Sequence, residues 1–199
     1  TYTVPDTVKT IAGYAFGSNS SSLKGYPLKL TTLKLSKNIT TINEYAFSYN
    51  SKMTTLTIPE DSMLTTIEAN AFNYSKALKS ITIPASVTEI GTKAFTHCTA
   101  LTSVAFADGS APLTMDESVF EYAGLTSITL PARVKTLGKK AFYWCQSLKS
   151  AAFDKTNLTE IPVSMFEGCK LLASASAPKG ITAIGMDAFY NCAALKSMT

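Results

Sequence analysis

A chain of 199 residues with 46% apolar side chains is long enough to bury a sizeable core. Only 16% of its residues are charged, so many polar positions are Thr and Ser hydroxyls, a balance that suits strands better than long helices. Eighteen basic and fourteen acidic residues give a net charge of +4, but the basic residues are scattered along the sequence, with no Lys/Arg run of the kind that marks a nucleic-acid or membrane patch.

From its first residue the chain is already inside a strand-like pattern, TYTVPDTVKTI, and it reads as a piece of something longer. An Ala-Phe pair closes this first unit at Phe16. The insertion that follows, GSNSSSLKGYPLK near 17–29, is rich in Ser and Gly and predicts one lengthened loop. Phe47 closes the second unit. Strand-like runs then alternate with Phe-bearing turns: MTTLTIP (53–59) leads to Phe72, LKSITIP (78–84) to Phe95 and LTSVAF (101–106) to Phe120. LTSITLP (125–131) leads to Phe142, LKSAAF (148–153) to Phe166 and LASASAP (172–178) to Phe189. The chain stops inside another such run, LKSMT (195–199).

The spacings between successive Phe residues are 31, 25, 23, 25, 22, 24 and 23, a fixed period that signals a stacked repeat. The unit is L-x-S/T-I-x-I-P-x-x-V-x-x-I-G-x-x-A-F-x-x-C/N. It is too short to bury its own apolar face, so each Leu, Ile and Phe must land against its equivalent one coil away. Alternation sends the Leu and Ile of the strand inward and the Ser and Thr outward. Pro5, Pro59, Pro84, Pro131 and Pro178 end the strands, since proline cannot donate to a ladder. Gly91, Gly138 and Gly185 recur at one turn position and predict either a positive φ or a close backbone approach. ADGSAPLTMDESVF in the fifth unit lacks both the Pro and the Gly, and Pro162 replaces the Gly in the seventh.

Three columns of side chains are candidates for function. Cys98, Cys145, Cys169 and Cys192 each stand three residues after a repeat Phe, where other units hold Asn19, Asn50, Ser75 and Ala123. As a column they do not converge on a metal. They read as reduced structural thiols; bridges between the coils of Cys145, Cys169 and Cys192 are the other reading, disfavoured by the parallel direction of in-register side chains. The second column is the outward strand face, led by Thr32, Thr55, Ser80 and Ser103: a nearly uncharged carpet of hydroxyls that either lets strands pack or forms a flat ligand-binding face.

The third lies two residues after each Phe. Tyr49, Tyr74, His97, Tyr122 and Trp144 fill it in five successive coils, with Ser18, Gly168 and Asn191 flanking and Tyr143 beside Trp144. Aromatics with a polar tip either shield the turns by edge-on packing or anchor an interface. The acid pairs Glu60–Asp61 and Asp116–Glu117 sit in turn-like segments and read as solvated. His97 is the single histidine, so any Ser/His/Asp or Cys/His arrangement rests on one residue. The inventory argues against an enzyme, and no cofactor, metal site or nucleotide fingerprint is expected.

ITIPASVTEIGTKAFTHC (81–98) and ITLPARVKTLGKKAFYWC (128–145) carry a family resemblance. An I-x-I/L-P strand followed by V-x-x-I-G-x-x-A-F-x-x-C resembles the BspA-like leucine-rich repeat, over nearly the whole chain. The resemblance implies a leucine-rich-repeat solenoid of the α/β class, β-rich and right-handed. It implies about eight coils of about 23 residues, with short strands and short helical or 3-10 turns. Such repeats often place Asn or Cys where a small polar group satisfies backbone donors of the adjoining coil. The domain would span 1–199 as a single unit, uncapped at both ends. Its implied role is an extracellular or cell-surface adhesion domain that binds host matrix proteins or other cells; the alternative is a passive spacer. The expected partner is a protein or glycan at a surface, with no nucleic acid, no membrane insertion in this segment, and end-to-end self-association through the uncapped ends.

Overall fold

Alternation in the L-x-S/T-I-x-I run produces one short strand per coil, and the V-x-x-I run produces another. The structure, a computed structural model, describes residues 1–18 and 29–199. Most of the insertion near 17–29, with Asn19, lies outside the described residues. In chain order the first coil holds β1 (Tyr2–Thr3) and β2 (Thr10–Ile11), and the second β3 (Thr32–Lys34) and β4 (Thr41–Ile42). There follow β5 (Thr55–Thr57) with β6 (Thr66–Ile67), β7 (Ser80–Ile83) with β8 (Glu89–Ile90), and β9 (Ser103–Phe106) with β10 (Leu113–Met115). The later coils hold β11 (Ser127–Thr129) with β12 (Val134–Leu137), β13 (Ser150–Ala152) with β14 (Glu160–Ile161), and β15 (Ser174–Ser176) with β16 (Ala183–Ile184); β17 (Ser197–Met198) begins a further pass.

All pairings are parallel, and all but Leu113↔Val134 link equivalent residues one coil apart, as in Thr32↔Thr55 and Ser80↔Ser103. The strands of the L-x-S/T-I-x-I runs form one side of the solenoid. Their burial alternates as expected: Ser80 and Thr82 are exposed while Ile81 and Ile83 are buried. Each strand-ending proline opens a four-residue turn by accepting an N–H, as from Val87 to Pro84 at 3.2 Å and from Val134 to Pro131 at 3.1 Å.

A second parallel sheet, in the order β12-β10-β8-β6-β4-β2, runs through the V-x-x-I segments. Its strands are two residues long in β2, β4, β6 and β8 and no more than four in β10 and β12, too short to show an alternation in the sequence. Its inward Ile42, Ile67 and Ile90 are fully buried. Gly91 follows one of these strands, and a Cβ there would lie 2.6 Å from the Ala69 backbone nitrogen. Close approach, rather than positive φ, is what demands glycine at this position. Pro162, at the equivalent place, has no N–H to give. Elsewhere that N–H donates to the previous coil, as from Gly138 to Met115 at 2.8 Å. The second sheet breaks there, leaving β14 paired only with β16.

The core is a stack of phenylalanines. Rings from Phe16 to Phe189 lie one above another with neighbouring centroids 4.8–5.6 Å apart. Phe47, Phe72, Phe95, Phe120, Phe142 and Phe166 have no exposed surface.

The expectation of helical or 3-10 turns is corrected: the described residues contain no helix. Around each Phe the chain makes successive four-residue turns whose third residue is left-handed, the geometry of a type II turn. Two residues before each Phe stand Tyr14, Tyr45, Asn70, Lys93, Ser118, Lys140, Ser164 and Asp187, with φ between 52° and 59°. Two residues after it stand Tyr49, Tyr74, His97, Tyr122, Trp144 and Asn191, with φ between 53° and 59°, and Gly168 at 74°. Bulky residues in this region cost about 1–2 kcal/mol each. The conformation aims alternate N–H groups at the next coil: Phe95 donates to Val119 at 2.8 Å, and His97 donates to Glu121 at 2.8 Å. A third ladder of coil-to-coil hydrogen bonds offsets the strain.

The fifth coil departs from the pattern. Between β9 and β10 its corner is longer than its neighbours', and the β10–β12 register shifts between Leu113 and Thr114. Arg133 spans the displaced corner from the sixth coil to the fourth. It donates through Nη1 to the Val87 carbonyl at 2.6 Å and through Nη2 to the Pro84 carbonyl at 3.0 Å. In the fourth coil Ser86 occupies the matching position and reaches one coil, to the Ser62 and Leu64 carbonyls.

Candidate functional site

The left-handed residue after each Phe turns its side chain out of the turn, and the coil spacing then stacks equivalent side chains. Tyr49 and Tyr74 are parallel with centroids 4.8 Å apart, Tyr74 and His97 4.3 Å, His97 and Tyr122 4.6 Å. The structure thus joins these four into one continuous ridge. Trp144 extends it in a tilted contact 6.2 Å from Tyr122, and Tyr143 meets Tyr122 edge-on at 5.8 Å. All six are half-buried. A shorter stack, Tyr14 on Tyr45 at 5.2 Å, occupies the other left-handed column.

This geometry decides what the ridge can offer. A ring stacked on both sides has no free face, so Tyr74 and His97 present only edges and polar tips to solvent, while Tyr122 is stacked on His97 on one side and met by the tilted Trp144 and the edge-on Tyr143. Trp144 lies over Gly168: a Cβ there would come within 2.7 Å of the indole ring. Glycine is what makes room for it, and the Lys170 ammonium sits 5.6 Å from the indole centroid. Lys76 lies over Tyr74 and Lys140 over Tyr143, each at 5.3 Å. These lysines, with Glu121 and Glu167 between them in the turns, are ridge neighbours that the sequence reading did not single out. They become visible only when residues are aligned to each Phe.

Burial in the stack lowers the pKa of His97, and Lys76 lowers it further against the opposing pull of Glu121. Burial likewise raises that of Tyr122, helped by Tyr143 and the carboxylates of Glu121 and Glu167. The ridge is therefore neutral at its centre near pH 7, with charges at its flanks.

The cysteine column serves the turns. Cys98, Cys145, Cys169 and Cys192 are all free thiols. Each Sγ donates to the carbonyl of the preceding coil's Phe, at 3.0–3.1 Å. Ser75 Oγ does the same to Phe47 at 2.6 Å, and Asn50 Nδ2 to Phe16 at 2.9 Å. On the adjoining coil the groups satisfied are thus backbone acceptors, where the family resemblance implied donors; the donors served are in the same coil, where Asn50 Oδ1 accepts from the Met53 N–H at 3.0 Å. Ala123 has no group to give to Phe95. Burial pushes the thiols of Cys98 and Cys145 up to about 12, so neither is a thiolate nucleophile near neutral pH. Among the described residues no group of three His, Cys, Asp or Glu side chains is placed to hold a metal. Of the acid pairs, Asp61 meets Lys37 at 3.5 Å and Glu117 meets Lys139 at 3.4 Å, both at the surface.

The sequence matches the family described as BspA type leucine rich repeat region, in six copies, over residues 22–113 and 113–199. No curated protein matched it. Its fold is similar to the crystal structure of the pneumococcal vaccine antigen PcpA, with a TM-score of 0.73 at 22% identity; the match covers 99% of this chain and 59% of that one. It is also similar to the T. pallidum leucine rich repeat protein TpLRR, with a TM-score of 0.64 at 21% identity, covering 98% of this chain and 77% of that one. The chain therefore spans less than two thirds of the length of PcpA.

Proposed function

We propose, for a chain that belongs to the BspA type leucine-rich repeat family, a non-enzymatic binding module displayed outside the cell, whose protein partner docks on the aromatic ridge. The observation that carries this reading is the unbroken stack from Tyr49 to Tyr122, extended by Trp144. Its rings are fixed by one another, so binding them costs little further ordering. Tyr and Trp are the residues most often found at the energetic centre of protein interfaces. Sugar stacking needs a free ring face, and the centre of the ridge, Tyr74 and His97, offers edges; this favours a protein over a neutral glycan. Similarity to a vaccine antigen supports an extracellular setting.

The test is binding of the chain to an array of extracellular matrix proteins, with Tyr74→Gly and Trp144→Gly variants beside it. Glycine already occupies the column at Gly168 and adopts its φ without strain. The expected result is at least one protein partner whose affinity falls about tenfold or more in each variant. Partners indifferent to both substitutions would remove the ridge from the binding site, and no partner at all would leave a spacer.

A further inference from the structure

Lysines far apart in the sequence are brought together by the coil register. Consider the stretches that run from each aromatic turn onto the strand face: 29–34, 51–57, 76–83, 99–106, 124–130, 146–153, 170–177 and 193–199. They contain eight lysines and not one of the fourteen acidic residues of the chain. Lys34, Lys79, Lys149 and Lys196 lie on or beside the strands, and Lys29, Lys52, Lys76 and Lys170 lie on the run-in from the turns. All eight are exposed. Because the chain has 18 basic residues in total, the other ten face fourteen carboxylates. The net charge of +4 is therefore +8 on the strand side and its run-in, with Lys76 and Lys170 at the border with the ridge, set against a remainder of −4.

The ion pairs of the described residues, Lys37–Asp61 and Lys139–Glu117, involve none of these eight. Asp6, Glu60, Asp61, Asp108 and Asp154 lie past the strand ends, at the corners, and Asp154 accepts from Ser176 Oγ at 3.0 Å on that border. From β3 to β17 the face is about 34 Å long at one strand per ~4.8 Å.

We propose that this face binds a linear anionic polysaccharide, a polyol chain bearing carboxylate or sulfate groups. The charge selects an anion, and the chemistry of the surface selects its class. Between β3 and β15 the outward strand positions are Ser, Thr, Ala and Lys34, with no aromatic and no arginine. Protein hot spots are built from Trp, Tyr and Arg, with Ser and Thr under-represented. Single-stranded nucleic acids need stacking platforms. Hydroxyls that both donate and accept match the hydroxyls of a polyol, and lysines act as point charges for its anionic groups. Lys79 and Lys149 are three strands apart and Lys149 and Lys196 two, about 14 and 10 Å. That spacing suits a polymer laid along the solenoid axis.

The experiment measures binding of the chain to immobilised heparin and hyaluronate, with poly-L-glutamate and duplex DNA as alternative polyanions, at low and high salt. The test variant is Lys34→Thr, Lys79→Thr, Lys149→Ser, Lys196→Ser, residues that neighbouring coils already carry at these or adjacent positions. The control variant removes the same charge from exposed lysines elsewhere: Lys9→Ser, Lys93→Ser, Lys135→Thr, Lys155→Ser. The expected result is salt-sensitive binding to at least one polysaccharide, stronger than to poly-glutamate or DNA, weakened about tenfold or more in the test variant and held in the control. Absence of polysaccharide binding, equal or stronger binding to the other polyanions, or equal losses in both variants overturns the proposal. Tyr122→Gly, a ridge substitution at a ring over which none of these eight lysines lies, should leave this binding intact, which separates it from the ridge.

Discussion

The strand face and the aromatic ridge are made by the same device, coils stacked in parallel, yet they present opposite chemistry. The strand-face ladder is interrupted between β5 and β7 and between β9 and β11. On the strand face the backbone is extended and relaxed, outward residues are small, and the columns are hydroxyls broken by lysines. On the ridge the backbone carries two left-handed residues per coil, and the outward residues are large rings stacked face to face. The extended side needs no help from its outward residues, because Leu and Ile beneath it supply the burial. The turn side holds strained backbone, and its order rests on what stacks along it: Phe within, Tyr and His without, and a thiol, hydroxyl or amide bonded to six of the eight repeat Phe carbonyls.

This contrast predicts where substitutions hurt. Phe95→Ala should cost about 3–5 kcal/mol in urea denaturation, whereas Thr82→Ser on the opposite outward face should stay within about 0.5 kcal/mol. Comparable losses at the two sites would break the comparison. A smaller effect comes from alkali. The Cys98 and Cys145 thiols have folded pKa values raised from 9.0 to about 12, so the folded chain holds protons that the unfolded chain releases. Their contribution is fully present below pH 9 and is lost as pH rises from there toward 12. The slope should be about 1 kcal/mol per thiol per pH unit, and a Cys98→Ser, Cys145→Ser variant should flatten it in the same denaturation series. The smallest effect is a gain. Ala123→Ser would donate to the Phe95 carbonyl as Ser75 does to that of Phe47, and should stabilise the fold by about 0.5–1.5 kcal/mol. A loss there would show that the column packs rather than bonds.

Much of the solenoid was legible in the sequence because its signal is periodic. The Phe column, the first strand of each coil and the proline that follows it are all set by spacing. The turns were misread for a physical reason: type II turns announce themselves by Gly or Asn at the third position, and here, apart from Asn70, Gly168 and Asn191, residues such as Tyr, Lys, Ser and Trp hold it. No local rule places Lys93 or Trp144 in the left-handed region; only the ladder to the next coil does. The members of the ridge could be named from their offset to each Phe. That their faces are mutually covered could not, because it depends on the distance between coils. The lysine face escaped for a similar reason. Lys34, Lys79, Lys149 and Lys196 look dispersed until residues are counted from each turn and the intervening acids are seen to fall at corners.

Arg133 bears on how such a molecule comes apart. A stack whose members touch only their immediate neighbours unfolds from its weakest joint, like a column of coins parted at one gap. The irregular fifth coil supplies such a joint. By gripping Pro84 and Val87 from two coils away, the guanidinium ties the coil before the joint to the coil after it. Neither can open without breaking that tie, which couples the three coils in unfolding.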